Sequence, residues 1–244
     1  LLLRTSTRRS NCTSYIVMLG LGGSASNSSS VEHLYSLLLD GTGDFVTTDF
    51  VPNKDVGTFS FWFNIDTLKN YNTLFENAVD SNDWECWVDE DGDLNFRTDV
   101  GDVVLTKSSA ISTSTWYHVG ITYTQSGGGV LYINGAAVHT DGDVAGSRPT
   151  PQEMTIGGGA LNTDFHGNID EFAVWNIALD ADAIAAVYNS GKPFELTNNR
   201  GSYDNASNLQ GYWRLNNDAI DYSSNTNNGT LAGNATFSAN TADD

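Results

Sequence analysis

Apolar and polar residues alternate with period two over long stretches of this chain. Thr58 to Ile65 sets Phe59, Phe61, Phe63 and Ile65 against Ser60, Trp62 and Asn64. Trp116 to Thr124 repeats the pattern, with Tyr117, Val119, Ile121 and Tyr123 opposed by His118, Gly120 and Thr122. Val130 to Asn134 places Leu131 and Ile133 opposite Val130, Tyr132 and Asn134. Successive side chains of a strand point to opposite faces, so this alternation predicts strands with one face in a core.

Turn residues punctuate the runs: Asp40-Gly41, Asp91-Gly92, Gly127-Gly128-Gly129, Asn134-Gly135 and Asp141-Gly142. Asn-Gly and Asp-Gly supply the positive φ angles that tight hairpins require. Roughly ten to twelve short strands at this spacing predict an all-β, antiparallel two-sheet sandwich or jelly roll. One helix interrupts them near residues 181–189. Asp180 can cap it, Ile184, Val187 and Tyr188 form its apolar stripe, and Gly191 with Pro193 stops it. So short a helix cannot stand alone and must dock on the sandwich.

The chain divides into a Gly/Ser/Asn-rich lead over residues 1–33, expected to be flexible, a sandwich over 34–193, and an extension over 194–244. Residues 1–17 hold Arg4, Arg8 and Arg9 and no acid, whereas all 30 acids follow. The chain opens on Leu1 as a fragment, a processed product or an over-extended reading frame would; in the last case Met18 is the candidate start and residues 1–17 are not native. The extension is rich in asparagine, with 11 after residue 197. Within it Gly211–Asn216 reads as an edge strand, with Trp213 and Leu215 pointing one way and Tyr212 and Arg214 the other. It either completes this sandwich in a permuted order or is donated to a neighbouring subunit.

Composition narrows the function. The 244 residues carry 11 Lys+Arg against 30 Asp+Glu, a formal charge of −19, which repels phosphate backbones and makes nucleic acid a poor partner. At this charge a homo-oligomer would need a dry interface, divalent cations or salt. The apolar run Tyr15 to Leu21 is far too short to insert in a membrane. Cys12 and Cys86 lie too far apart in unlike contexts to suggest a disulfide framework or metal cluster.

Four phrases carry a family likeness: YSLLLDGTGDFV (35–46), GTFSFWFN (57–64), WYHVGITYTQSGGGVLYINGAAV (116–138) and MTIGGGALNTDFHGNIDEFAVWNIALDADAIAAVYNSG (154–191). In this order they resemble the laminin-G-like jelly roll of the concanavalin A-like lectin/glucanase superfamily. The tail phrase GYWRLNNDAIDYSSNTNNGTLAG (211–233) is similar to text that comes first in many such modules. The MLGLG opening, jelly roll and tail together look like structural proteins of tailed marine phages, which implies an extracellular or virion-surface setting.

The resemblance also implies chemistry to look for. Glycoside hydrolases of this fold carry their two catalytic carboxylates on one face of a single strand, in a phrase like Glu-Ile-Asp-Ile-Glu, for retaining chemistry. The matching text is Asn168-Ile169-Asp170-Glu171-Phe172, where Asn168 and Phe172 replace the acids, so no enzyme is expected. The acids Glu85, Asp89, Glu90, Asp91 and Asp93 straddle a hairpin turn instead. Family members often hold a structural Ca²⁺ at the sheet rim, and the matching positions are Asp40, Gly41 and Asp170, with Asp44 assisting. For sugar, Trp62, His118 and Tyr132 share the face opposite the core residues and are expected to form an aromatic patch, with Trp84 and Trp87 as a second candidate. The expectation is a carbohydrate-binding or host-surface-binding module, or else a structural virion component whose patch buries against another subunit.

Overall fold

The computed structural model describes residues 33–77, 84–98, 105–124, 128–141, 152–159 and 164–242. The expected flexible lead and the proposed start at Met18 lie outside them. Fifteen strands alternate along the described chain: β1 (Ser36–Asp40), β2 (Phe45–Thr47), β3 (Val56–Ile65), β4 (Asn72–Glu76), β5 (Glu85–Val88), β6 (Leu94–Arg97), β7 (Leu105–Lys107), β8 (Trp116–Thr124), β9 (Gly128–Ile133), β10 (Ala136–Asp141), β11 (Thr155–Ile156), β12 (His166–Trp175), β13 (Leu209–Trp213), β14 (Thr230–Ala232) and β15 (Thr236–Ser238). One α-helix, α1 (Ala181–Tyr188), stands between β12 and β13.

The strands form two antiparallel sheets. The first runs β10-β9-β8-β3-β12-β1-β15, with β13 also on β12; the second runs β14-β2-β11-β4-β5-β6-β7. The period-two faces land as expected. Phe59, Phe61, Phe63, Val119, Ile121 and Leu131 are fully buried and meet Leu74, Phe75, Cys86 and Phe96 from the second sheet. Rings bridge the layers: Phe59 stacks on Phe75 at 4.5 Å between centroids, and Phe61 meets the same Phe75 edge-on at 5.8 Å. Offset and edge contacts of this kind add about 0.5–1.5 kcal/mol each beyond their buried area.

β12 carries a bulge. Asp170 pairs with Trp62 and Ala173 with Ser60, so Glu171 and Phe172 oppose the single residue Phe61. Glu171 absorbs the irregularity at φ +51°, and the phase shift lets Ile169 and Phe172 both face the core.

The tail is part of the sandwich. β13 pairs with β12 within the chain, opposite Phe172 to Trp175, while β1 pairs with the first half of the same strand. The predicted strand over 211–216 is observed over 209–213. Trp213 and Leu215 enter the main core, and Tyr212 points to the other side of the sheet, as read from the sequence. Beyond it, β14 joins β2 and β15 joins β1, so residues 209–238 close both sheets.

Helix α1 starts at Asp180, whose side chain accepts a hydrogen bond from the Ala183 amide at 2.8 Å. It ends at Asn189 in the left-handed region, φ 47°. Ala183, Ile184 and Val187 seat it on the outer face of the first sheet, where Trp175, Leu196, Tyr203, Leu209 and Tyr212 complete a second apolar cluster.

Candidate functional site

The aromatic patch read from the alternation is assembled but not open. Trp62 and His118 are cross-strand partners with ring centroids 5.0 Å apart, and Tyr132 lies on the next strand. Tyr188 of α1 stacks on Trp62 at 5.7 Å, and Ile184 packs over Gly120. Trp62, His118 and Tyr132 are consequently 4%, 0% and 5% exposed. This corrects the expected sugar platform: alternation tells which rings share a face, but the helix that covers them begins about 50 residues after Tyr132 and about 120 after Trp62. His118 Nε2 meets Ser60 Oγ at 2.8 Å, and burial pulls the imidazole pKa down to about 3, so the ring is neutral.

Trp84 is also corrected. It is a core ring, packed edge-on against Tyr123 and Phe96. The calcium set does not assemble either. Asp40 pairs with His166, and Asp170 stands four residues farther along β12, about 13 Å by the rise of a strand. Asp44 is fully buried and spends its two oxygens on the amides of Asp40 and Asn234, at 2.9 and 2.5 Å. Asp40, Gly41, Asp44 and Asp170 therefore do not fit one ion. Among the described residues no three His, Cys, Asp or Glu side chains gather to hold a metal.

Sequence reading singled out no role for a buried polar knot beside α1. Glu171 takes His33 Nδ1 at 2.9 Å, the hydroxyl of Tyr212, and Arg214 Nε at 3.7 Å. Burial and the carboxylates of Glu171 and Glu195 hold the Tyr212 hydroxyl well above its ordinary pKa. A cavity with room for about one water lies next to it, lined by Ser60, Trp62, Glu171, Val187 and Phe194. The knot ties the first described residue to β12 and β13; it is too enclosed for a saccharide.

The remaining predicted aromatic, Trp87, lies on the outer face of the second sheet, and there the register builds a surface. Thr230, Thr47, Thr155, Glu76, Glu85 and Arg97 pair successively across β14, β2, β11, β4, β5 and β6. Their neighbours Val46, Ile156, Phe75, Cys86 and Phe96 fill the core, so alternation turns this row outward. Five strand spacings make it about 24 Å long. A shorter parallel row follows: Thr73, Trp87, Asn95 and Thr106.

The side chains of the two rows are cross-linked. Arg97 Nη2 lies 2.6 Å from Glu85 Oε2, and Thr73 Oγ1 donates to Glu85 Oε1 at 3.0 Å. The Arg97 guanidinium sits over the Trp87 ring at 5.3 Å, and Tyr71, 40% exposed, flanks the same ring at 5.8 Å. Thr106 Oγ1 donates to Asn95 Oδ1 at 3.0 Å. The Gly159 backbone passes close enough that a Cβ would stand 2.8 Å from Glu76 Oε1 and 3.1 Å from Thr155 Oγ1. The row is exposed at Thr230 and Thr47 and sinks to buried Glu76 and Glu85. The exposed members of this strip are Tyr71, Thr47 and Thr230; Thr73, Trp87 and Asn95 are 0%, 6% and 5% exposed and back the surface rather than form it.

Sequence reading missed Tyr71, Glu76 and Arg97. β4 is five residues long and bulged between Thr73 and Phe75, which erases its alternation, and no local signal reveals which residues become cross-strand neighbours. The acidic hairpin closes on itself: Asp89 Oδ1 accepts from the amides of Asp91 and Asp93, and Asp93 Oδ1 from that of Ser109.

Comparison with known proteins places this geometry. Residues 40–185 match the family model Laminin_G_3, described as the concanavalin A-like lectin/glucanases superfamily. A candidate carbohydrate-binding protein from Bacteroides ovatus superposes with a TM-score of 0.61 at 17% identity, over 85% of this chain. The chain spans 60% of that protein's length. A heptameric SAP-like pentraxin from Limulus polyphemus superposes with a TM-score of 0.55 at 16% identity, over 83% of this chain and 97% of its own. At such identities the likeness is one of fold. No curated protein sequence matches.

Proposed function

The chain belongs to the concanavalin A-like lectin/glucanase superfamily, and on that premise we propose that it is a non-catalytic, lectin-like module that binds carbohydrate on the outer face of its second sheet. The observation that carries this reading is the exposed Tyr71 ring, backed by the nearly buried Trp87 ring with the Arg97 guanidinium over it, on a sheet face whose cross-strand row is open at Thr47 and Thr230. Apolar sugar faces stack on aromatic rings, and sugar hydroxyls both donate and accept, which this mixed set of groups satisfies. A lectin needs no acid poised to protonate a leaving group. Consistent with that, Phe172 is core and Asn168 is tied to Ser36, Ser238 and Asn240 at the positions where family hydrolases place acids.

Pull-down on insoluble polysaccharides tests it. Tyr71→Ala and Trp87→Ala should each weaken binding at least about tenfold, while Trp62→Ala should change stability more than affinity. Binding unmoved by both of the first two substitutions refutes the site. A second reading, self-assembly, is favoured by exposed Leu34, Tyr35, Ile220 and Tyr222 around Arg214 and Asn216. Mass measurement across salt concentrations distinguishes it, since a molecule of this charge that stays monomeric at every salt concentration does not self-assemble.

A further inference from the structure

One side of the sandwich is closed by an imidazole. β10 ends the first sheet, β7 ends the second, and the two edges touch. A bulge at Val138 sets His139 opposite the core residue Leu131, so the His139 ring points between the sheets. There the Thr106 amide of β7 donates to His139 Nδ1 at 2.9 Å. That amide lies on the outer edge of β7, where no further strand of the second sheet takes it. The Thr106 hydroxyl donates the other way, to Asn95, the cross-strand partner of Trp87. The strand that His139 holds is therefore the one that braces the row behind Tyr71.

An amide N–H only donates, so this bond needs the lone pair of Nδ1: the ring is neutral and carries its proton on Nε2. Protonation turns both ring nitrogens into donors, and the Thr106 N–H then faces another N–H. We infer that His139 is a proton-sensitive latch: neutral, it ties the edge of the second sheet to the edge of the first; protonated, it releases β7. The charges around it are Asp141, two residues farther along the same face of β10, and Lys107, beside Thr106 on β7. β9 presents apolar Leu131 there, since Tyr132 lies on the opposite face with α1, and β6 presents uncharged Asn95. From α1, Tyr188 reaches only the turn at Gly135. Asp141 and Lys107 act on the ring with opposite signs, and neither restores the lost acceptor.

Magnetic resonance on the full chain reads the latch without any ligand. At about pH 7.5 a long-range proton–nitrogen spectrum should show Nδ1 of His139 as the unprotonated nitrogen, and a proton on Nδ1 would overturn the inference. Between about pH 7.5 and about pH 5, where histidines charge, hydrogen exchange should reveal the release. The protection factor of the Thr106 amide should fall at least about tenfold relative to that of Ile121, in the middle of the first sheet. His139→Asn sets a carboxamide oxygen near the place of Nδ1 and does not titrate, so Thr106 should stay protected at both pH values. His139→Ala should leave it unprotected at both. Protection in the native chain that ignores pH, or that falls equally in His139→Asn, overturns the latch. The comparison of the native chain with His139→Asn decides the matter even where the alanine variant fails to fold.

Discussion

Replacing Gly120 with alanine probes the contact that hides the aromatic patch. Gly120 lies on β8 directly under α1, and a Cβ built there would stand 3.2 Å from both Ile184 Cδ1 and Ile184 Cγ2. Carbon atoms pack comfortably at about 3.5–4.0 Å, so the helix must rise by a few tenths of an ångström. Overpacking of this kind costs about 1–3 kcal/mol, offset by roughly 0.5–1 kcal/mol because alanine restricts the unfolded chain more than glycine. The net expectation is a loss of about 1–2 kcal/mol. Ile184→Ala alone leaves a cavity and costs about 2–5 kcal/mol. In the double variant the new methyl fills part of that cavity, so the combined loss should fall short of the sum by at least about 1 kcal/mol. Urea unfolding followed by tryptophan emission measures all four proteins, and acrylamide quenching reports whether Trp62 gains exposure in Gly120→Ala. A neutral Gly120→Ala together with additivity within about 0.5 kcal/mol would refute the seating of α1 on this glycine.

Further outcomes follow from the same geometry. His118 is neutral with a pKa of about 3 in the fold and about 6.5 when unfolded, so the unfolded chain binds the proton more readily. Its contribution is complete above about pH 6.5 and is lost as pH falls towards 3, amounting to about 2 kcal/mol between pH 7 and pH 5. His118→Gln should lose that portion of the pH dependence in urea titrations, and an unchanged slope would contradict it. Asp44→Ala removes the buried carboxylate that accepts from the part-buried amides of Asp40 and Asn234 and should cost about 1–3 kcal/mol by calorimetry. Removing residues 194–244 strips Trp213 and Leu215 from the core and β13, β14 and β15 from the sheets, so the shortened chain should show no cooperative melting transition.

Much of the architecture was legible in advance because it rests on local rules. Phe59, Phe61 and Phe63 had to share a face, and that face had to be covered by another layer. Asp180 and the stripe of Ile184, Val187 and Tyr188 marked the helix to within one residue of its observed end. The site was less legible. Trp62, His118 and Tyr132 were grouped correctly and assigned the wrong fate. Trp84 was taken from a stretch in which neighbouring tryptophans face opposite ways: Trp87 points outward, Trp84 into the core.

What the chain dictated by itself was periodicity: which side chains lie on which side of a strand, where the backbone turns, and how acidic the surface is. Those follow from the geometry of two or three adjacent residues. The tertiary structure decided adjacency. It laid α1 over one aromatic face, drew the tail into both sheets, and lined up Thr230, Thr47, Thr155, Glu76, Glu85 and Arg97 from six separate strands. Register between distant strands is set by the packing of the whole core, in which every pairing depends on the others, and no single segment carries that information.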